Sequence, residues 1–320
     1  MKLKMMYSFL NSDIKLIEKK LEETIQPESL LLQQASMHTL QAGGKRIRPV
    51  FVLLAGKFGH YDINVMKNVA VALELIHMAS LVHDDVIDDA DLRRGQPTVK
   101  SKWDNKVAMY TGDYVFALAV ELMTNINKPL AHKILADTIV EVSVGEIQQF
   151  KDKYRFNQNL RDYLRRIKRK TALLIAASCQ LGAIAADVEE SIHRKLFRFG
   201  YYVGMSFQIT DDILDFTATE EELGKPAGSD LLQGNITLPA LLAMENEAAR
   251  KVIEKVNDHT SPSEIKNIIS LIKETDAIAR SVELSDLYLS KAIAILEELP
   301  ANKARKALRD IAKYIGRRKF

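Results

Sequence analysis

Apolar residues recur at three- and four-residue spacing along nearly the whole chain, and no stretch alternates apolar with polar residues as a half-buried strand would. That periodicity restricts the fold to the all-α class. Leu10, Ile14, Ile17, Leu21 and Ile25 trace one face of an amphipathic helix that Pro27 ends. Another runs from Leu30 to Gln41 and stops at Gly43-Gly44; Pro49, tolerated at a helix N-terminus, leads Val50–Phe58. Val65–Asp88 reads as one long, mostly apolar helix with an acidic end, and further helices are expected over residues 104–124, 129–151, 159–186 and 189–216. From Thr217 to Thr237, three Gly, one Pro and several acidic residues predict a mobile loop, followed by four shorter amphipathic helices.

Within 320 residues, 47% are hydrophobic, enough for a large core and too many for a disordered chain. No Ser/Gly linker interrupts it, so one domain spanning residues 1–320 is expected. The 45 Lys and Arg nearly balance 42 Asp and Glu, leaving a net charge of +3 that argues against nucleic acid as the partner. A single cysteine, Cys179, precludes an internal disulfide and fits a reducing, cytoplasmic setting. The apolar stretch Met5–Leu10 is too short for a signal-peptide core, and the longest uncharged run, Thr171–Ala186, falls short of a membrane span and reads as a buried helix.

Two acidic signatures punctuate the helical pattern. Asp84-Asp85-Val86-Ile87-Asp88 closes the long apolar helix, and Asp211-Asp212-Ile213-Leu214-Asp215 repeats the DDxxD spacing 127 residues further on. Helical residues four apart lie one turn apart on one face, so Asp84 and Asp88 can grip the same ion. Carboxylates so close repel unless a cation neutralises them. Hard oxygen donors with no nearby Cys select Mg²⁺ or Mn²⁺ over zinc. Magnesium keeps few protein ligands and completes its shell with water and phosphate oxygens, so two facing helix ends of this kind would clamp a diphosphate. A lone DDxxD is ordinarily a solvated helix end. Two copies, each preceded by apolar helix (Leu75–Leu81 and Tyr202–Ile209), are not accounted for in that way.

Cationic and polar residues offer the phosphates further partners. Gly43-Gly44-Lys45-Arg46-Ile47-Arg48-Pro49 places three cations on a flexible backbone at the head of a helix, an arrangement suited to an anion. Arg93-Arg94-Gly95 follows the first acidic cluster and could instead merely neutralise Asp88, Asp89 and Asp91. Lys170-Thr171 opens the most apolar helix, Gln208 lies one turn before Asp211, and Lys225 falls in the expected loop. His77 stands two turns before Asp84 on the same face; a lone histidine on an apolar helix is more often a core residue than a ligand.

Taken together, Gly-Gly-Lys-Arg-Ile-Arg-Pro, His-Asp-Asp-Val-Ile-Asp-Asp-Ala-Asp-Leu-Arg-Arg-Gly, Lys170-Thr171 and the segment Phe207–Asp215 make the chain resemble the trans-polyprenyl diphosphate synthases along essentially its whole length. Residues 108–114, 167–176 and the final Tyr-Ile-Gly-Arg-Arg-Lys-Phe are similar to the large catalytic subunits of the two-component, heptaprenyl-forming branch. The resemblance implies a helical bundle around a deep central cavity, of the isoprenoid synthase type, that condenses isopentenyl diphosphate onto an allylic diphosphate such as farnesyl diphosphate. It implies catalytic roles for Asp84, Asp85, Asp88, Asp211, Asp212, Asp215 and Lys170, with Asp84, Asp88 and Asp211 as Mg²⁺ ligands. About two or three ions per site are implied, Mn²⁺ being a substitute. Lys45, Arg48, His77 and Arg94 would hold isopentenyl diphosphate, and Arg93, Lys170, Thr171, Gln208 and Lys225 the allylic diphosphate. A small component 1 subunit is the implied partner in a heterodimer, a homodimeric long-chain synthase being the alternative, and the greasy product gives a reason for peripheral membrane contact. The implied pathway is assembly of the menaquinone side chain. One departure is visible: many relatives carry lysine where this chain has Asn235.

Such a reaction begins with breakage of the allylic C–O bond. Metal and cationic side chains lower that barrier by stabilising charge on the leaving oxygens. The isopentenyl alkene must then lie against the nascent carbocation with water excluded, and the released diphosphate serves as base. Product length is expected to follow from what lies below the first acidic cluster. Ala79 and Ser80 are small, so a growing tail can pass between helices toward Ile76, the next obstacle. A terpene cyclase needs no second diphosphate site, a non-catalytic partner subunit generally loses an acidic motif, and a simple ion-binding helical protein leaves the basic and apolar elements unexplained.

Overall fold

The computed structural model describes residues 2–223 and 226–316. In chain order the helices are α1 (Lys2–Met6), α2 (Asn11–Thr24), α3 (Leu30–Gln41), α4 (Ile47–Gly56), α5 (Ile63–Ile87), α6 (Val99–Lys102), α7 (Asn105–Thr124), α8 (Pro129–Asp152), α9 (Leu160–Ile167), α10 (Leu173–Ala185), α11 (Glu190–Thr217), α12 (Glu220–Leu223), α13 (Ser229–Leu232), α14 (Leu238–Ala243), α15 (Glu247–Ile253), α16 (Pro262–Glu274), α17 (Ala277–Glu297) and α18 (Lys303–Gly316). A 3₁₀ turn, Ser8–Leu10, precedes α2, and a π-helical turn, Lys168–Ala172, joins α9 to α10. Among the described residues the sheet is confined to one hairpin, β1 (Leu92–Arg93) with β2 (Gln96–Pro97). The all-α class expected from periodicity is therefore the class observed.

Three local features depart from the expected elements. The hairpin was invisible to alternation because each strand holds two residues; its two-residue turn, Arg94-Gly95, has positive φ at both positions, 54° and 74°, as a type I′ turn requires. The helix expected over residues 159–186 is broken by the π turn, which widens the backbone at Lys170-Thr171. The segment expected as a loop contains the short helices α12 and α13, and five helices rather than four follow it.

Contacts divide the chain into two compact units. Unit 1 comprises Met1–Ala136, Ala177–Phe197 and Pro300–Leu308. There α5 is the central element, packing most extensively on α7 and also on α4 and α2. All residues from Pro49 to Gly56 of α4 are buried. Gly182 admits α4 closely: a Cβ there would lie 2.3 Å from the Val52 carbonyl oxygen. α5 is long and apolar enough to cross a membrane, but 67% of its most apolar window is buried inside the protein, as in a core helix. Unit 2 comprises Asp137–Ala176, Arg198–Leu299 and Arg309–Phe320. Its core gathers Tyr163, Ile209, Phe216, Leu238, Ile268, Ile272 and their neighbours from α9, α11, α14 and α16. Capping is local and complete at α16, where Ser261 and Glu264 form a reciprocal capping box.

Candidate active site

In unit 1 the site grows from α5. Glu74, His77, Leu81 and Asp85 follow one another at three- and four-residue steps and line a cleft closed by α3 and the hairpin. The cleft encloses about 30 Å³, room for one or two waters, and its wall also includes Gly43, Arg46, Arg93 and Arg94. Arg46 caps the start of α4 in the left-handed region, at φ 48°. From there Nη1 donates to Glu74 Oε1 at 3.0 Å and Nη2 to the Leu40 carbonyl at 3.2 Å, two bonds that hold the unusual backbone in place. Gly44, at φ 155°, lets the hairpin approach: a Cβ would stand 2.8 Å from Arg94 Nη1.

Electrostatics show how closely these groups are gathered. Burial, then Arg48, Arg94, Arg93 and Arg46 in turn, push the His77 imidazole well below its ordinary range, so the ring is neutral at physiological pH. Burial lowers the Arg48 guanidinium to about 10 against the opposing pull of Glu74, with Arg94 lowering it further. Arg94 is likewise lowered, first by burial, while Glu74 supports its charge. Glu74 is 3% exposed and is the acidic counterweight that these three arginines share. The expected set Arg48, His77 and Arg94 is thus brought together, with Lys45 exposed at the edge of the same turn.

At the C-terminal end of α5, Asp84 and Asp85 are buried at 8% and 5% exposure, and the Asp88 amide donates to the Asp84 carbonyl at 2.8 Å, closing the helix. Arg93 Nε donates to Asp85 Oδ1 at 2.7 Å. Burial raises the Asp85 carboxyl; Arg93 opposes it, and Asp84 and Asp88 add to it. Lys100 pairs with Asp89 and lies 3.9 Å from Asp91. Neutralising the outer aspartates therefore falls to Lys100, leaving Arg93 for Asp85 and Arg94 for the cleft. Ile76, Ser80, Asp84 and Asp88 share a second row of α5, one turn apart. Ile76 and Ala79 are buried, and the Ser80 hydroxyl is satisfied by the His77 carbonyl at 2.9 Å.

In unit 2 the second aspartate motif ends α11. Asp212, 2% exposed, accepts from Tyr163 Oη at 2.7 Å and from Gln208 Nε2 at 2.8 Å. Burial, then Asp230, push its carboxyl up to about 7, against the two hydrogen bonds, and Asp211 pushes the same way. Asp215, 1% exposed, anchors the start of α13, accepting from Ser229 Oγ and from the Asp230 amide, each at 3.2 Å. Asp211 is partly exposed beside these two committed carboxylates. The π turn presents Thr171, whose hydroxyl donates to Gln208 Oε1 at 2.6 Å, and Lys170, which pairs with Glu146 at 3.1 Å. Lys225 lies outside the described residues.

Among the described residues no group of three or more His, Cys, Asp or Glu side chains is gathered to cage an ion. The oxygen-only pairs present fit magnesium, which is usually held by one or two carboxylates and substrate phosphates. Sequence reasoning missed Glu74 and the separate contribution of Arg46. The signal was a single acid inside the apolar run Val69–Leu75, costly to bury unless paired. Tyr163 was missed because a buried tyrosine on an amphipathic helix looks like any core aromatic.

A model of the Polyprenyl synthetase family matches residues 29–273. All 320 residues align at 65% identity with the full length of heptaprenyl diphosphate synthase component 2 of Geobacillus stearothermophilus. They align at 64% identity with 92% of the protein of that name from Bacillus subtilis (strain 168). Among solved structures, heptaprenyl diphosphate synthase from Staphylococcus aureus matches with a TM-score of 0.92 at 45% identity, over 97% of this chain and 98% of that one. A polyprenyl synthase from Caulobacter crescentus CB15, solved with calcium and isoprenyl diphosphate, matches with a TM-score of 0.94 at 31% identity, over 99% and 98% of the two chains. Fold and likeness together define a prenyltransferase of the all-α isoprenoid synthase type. The chain belongs to the polyprenyl synthetase family, whose members use Mg²⁺.

Proposed function

We propose that this chain extends farnesyl diphosphate with isopentenyl diphosphate to heptaprenyl diphosphate, as the large catalytic subunit of a two-component enzyme serving the menaquinone side chain. The observation that carries it is the cluster of Arg46, Arg48 and Arg94 around neutral His77, on the helix that ends in Asp84–Asp88. A dedicated anion site beside a carboxylate pair favours condensation of two diphosphates over cyclisation of one. Full-length identity of 65% to a component 2 protein supports the heptaprenyl product and the small partner subunit. The lone, buried Cys179 supports a cytoplasmic setting. Of the five division points, those at residues 136/137, 176/177, 197/198 and 308/309 fall inside helices and only 299/300 falls between two, which supports a single domain without a linker.

In this proposal Lys45, Arg48 and Arg94 bind the diphosphate of isopentenyl diphosphate, and His77 contributes a hydrogen bond without adding charge. Arg93, Lys170, Thr171, Gln208 and Lys225 take the allylic diphosphate. Asp84, Asp88 and Asp211 hold Mg²⁺; Asp85, tied to Arg93, and Asp212 and Asp215, tied within unit 2, keep the two motifs in place. The metal, when bound, stabilises the charge that develops on the leaving diphosphate. Ala79 and Ser80 leave room for the growing tail, which Ile76 then limits. Purified protein incubated with Mg²⁺, farnesyl diphosphate and isopentenyl diphosphate, with and without the small subunit, tests all of this. A heptaprenyl product that requires the partner is expected; a long-chain product from the chain alone would favour the homodimeric synthase, and a cyclic hydrocarbon would sink the proposal.

A further inference from the structure

The geometry points to Tyr163 as a positioning residue for the allylic diphosphate: through Asp212 it sets the Gln208 amide and, through that amide, the hydroxyl of Thr171. This inference rests on the assignment of Gln208 and Thr171 to that substrate. Tyr163 is wholly buried on α9, and its hydroxyl donates to Asp212 Oδ2 at 2.7 Å. The other carboxylate oxygen, Oδ1, accepts from Gln208 Nε2 at 2.8 Å, and Gln208 Oε1 accepts from Thr171 Oγ1 at 2.6 Å. Four side chains from α9, α11 and the π turn thus form one hydrogen-bonded chain.

The chain has a single direction. Gln208 turns its NH₂ toward Asp212 Oδ1 and its oxygen toward the Thr171 hydroxyl, and the Tyr163 hydroxyl points its own proton at Asp212 Oδ2, so every donor in the chain faces the same way round. The one proton of the Thr171 hydroxyl is then committed to Gln208. An amide is otherwise free to face either way, and here its orientation follows from what lies behind it. Tyr163 occupies one Asp212 oxygen and so dedicates the other to Gln208. Removing the phenol oxygen would leave a buried carboxylate oxygen without its donor and Asp212 free to turn.

Backbone geometry brings the chain together. A Cβ at Gly204, one turn before Gln208, would lie 2.5 Å from Ala172 Cα, so only glycine lets α11 come this near the π turn. Gly145 of α8 gives the same freedom on another side, where a Cβ would meet Arg169 Cβ at 2.6 Å. The Arg166 guanidinium, 5.7 Å from the Tyr163 ring centre, is itself held by Gln158 and by the Ile236 carbonyl, which fixes the pose of the ring. The Tyr163 ring belongs to the core, but its hydroxyl is not needed to fill it, since phenylalanine would occupy the ring's volume.

Tyr163→Phe deletes one oxygen and keeps the ring. Assayed with the small subunit, and with farnesyl diphosphate and isopentenyl diphosphate varied separately, the variant is expected to show a KM for farnesyl diphosphate raised about tenfold and a KM for isopentenyl diphosphate within about twofold of the parent. Added to Gln208→Ala, it should raise the allylic KM no further, because the same route is already cut. A lowered Tm with both KM values unchanged, or an effect that adds fully to Gln208→Ala, would show a purely structural tyrosine and overturn the proposal. An allylic KM raised by Gln208→Ala but not by Tyr163→Phe overturns the proposal alone; one unmoved by Gln208→Ala overturns the site assignment and the proposal with it. Should Tyr163→Phe fail to fold, Asp212→Ala gives a second test, since it removes the acceptor that links Tyr163 to the Gln208 amide. A parental allylic KM in that variant also overturns the proposal.

Discussion

Arg46, left-handed at the entrance to α4, donates at 3.0 Å to Glu74, a carboxylate that is 3% exposed on α5. The pair joins the basic turn to the helix that ends in the first aspartate motif, and it sets an acid at the centre of a cluster of arginines. Three arginines so near one another repel, and Glu74 offsets that repulsion while no substrate is bound.

Glu74→Gln should therefore destabilise the protein by about 3 kcal/mol, as expected when one partner of a buried ion pair is removed. Inorganic pyrophosphate should raise the Tm of this variant by more than it raises that of the parent, because the added anion replaces the missing charge. Urea unfolding and thermal melts with and without pyrophosphate measure both effects; equal shifts in the two proteins would count against the charge-balancing role.

Asp84→Ala should lower turnover by on the order of 10³-fold or more while leaving the fold intact, since its carboxylate lies at the helix end. Chelation of divalent ions should abolish the activity of the parent and Mg²⁺ should restore it. Near-normal rates in the variant would rule out the metal role.

Stability should fall on acidification in a way that depends on His77. Its folded-state pKa lies well below the ordinary 6.5, so below that pH the unfolded chain takes up a proton that the folded chain refuses. The stabilising effect of its neutral burial is present above pH 6.5 and is lost as pH falls through that value. Relative to His77→Gln, the parent should lose up to about 1.4 kcal/mol more per pH unit below 6.5. Parallel stability curves for the two proteins between pH 7 and 5 would refute this.

Ile76→Gly should lengthen the products, because Ile76 shares the α5 row of Ser80 and Asp84 and is the first large side chain beneath them. It should also cost about 3 kcal/mol or more of stability, through the lost side chain and the mid-helix glycine. Chromatography of the prenyl products settles the point, and an unchanged spectrum would remove Ile76 from the length-setting residues.

Much of this molecule can be read directly from local patterns. A 3.6-residue period decides helix against strand wherever one face is buried, so α3 was located to the residue and α2, α5, α7, α8 and α11 to within a few. The DDxxD spacing alone places Asp84 and Asp88 on one face of a helix, because helix geometry is the same in every sequence. The hairpin, the π turn and Glu74 are of another kind. Arg94-Gly95 turns back because the chain around it holds two positive φ angles, and Lys170-Thr171 is carried on a wide turn that no periodicity encodes. Whether an acid in an apolar run is a blemish or the centre of a cation cluster depends on what arrives from Arg46, Arg48 and Arg94, up to 28 residues away along the chain. Likewise the DDxxD spacing treats Asp211, Asp212 and Asp215 alike, and only the approach of Tyr163 and of residues 228–230 commits two of them to internal hydrogen bonds. Periodicity and spacing are properties of the backbone and needed no partner; charge balance, hydrogen-bond direction and pKa belong to pairs of distant residues, and folding alone brings those together.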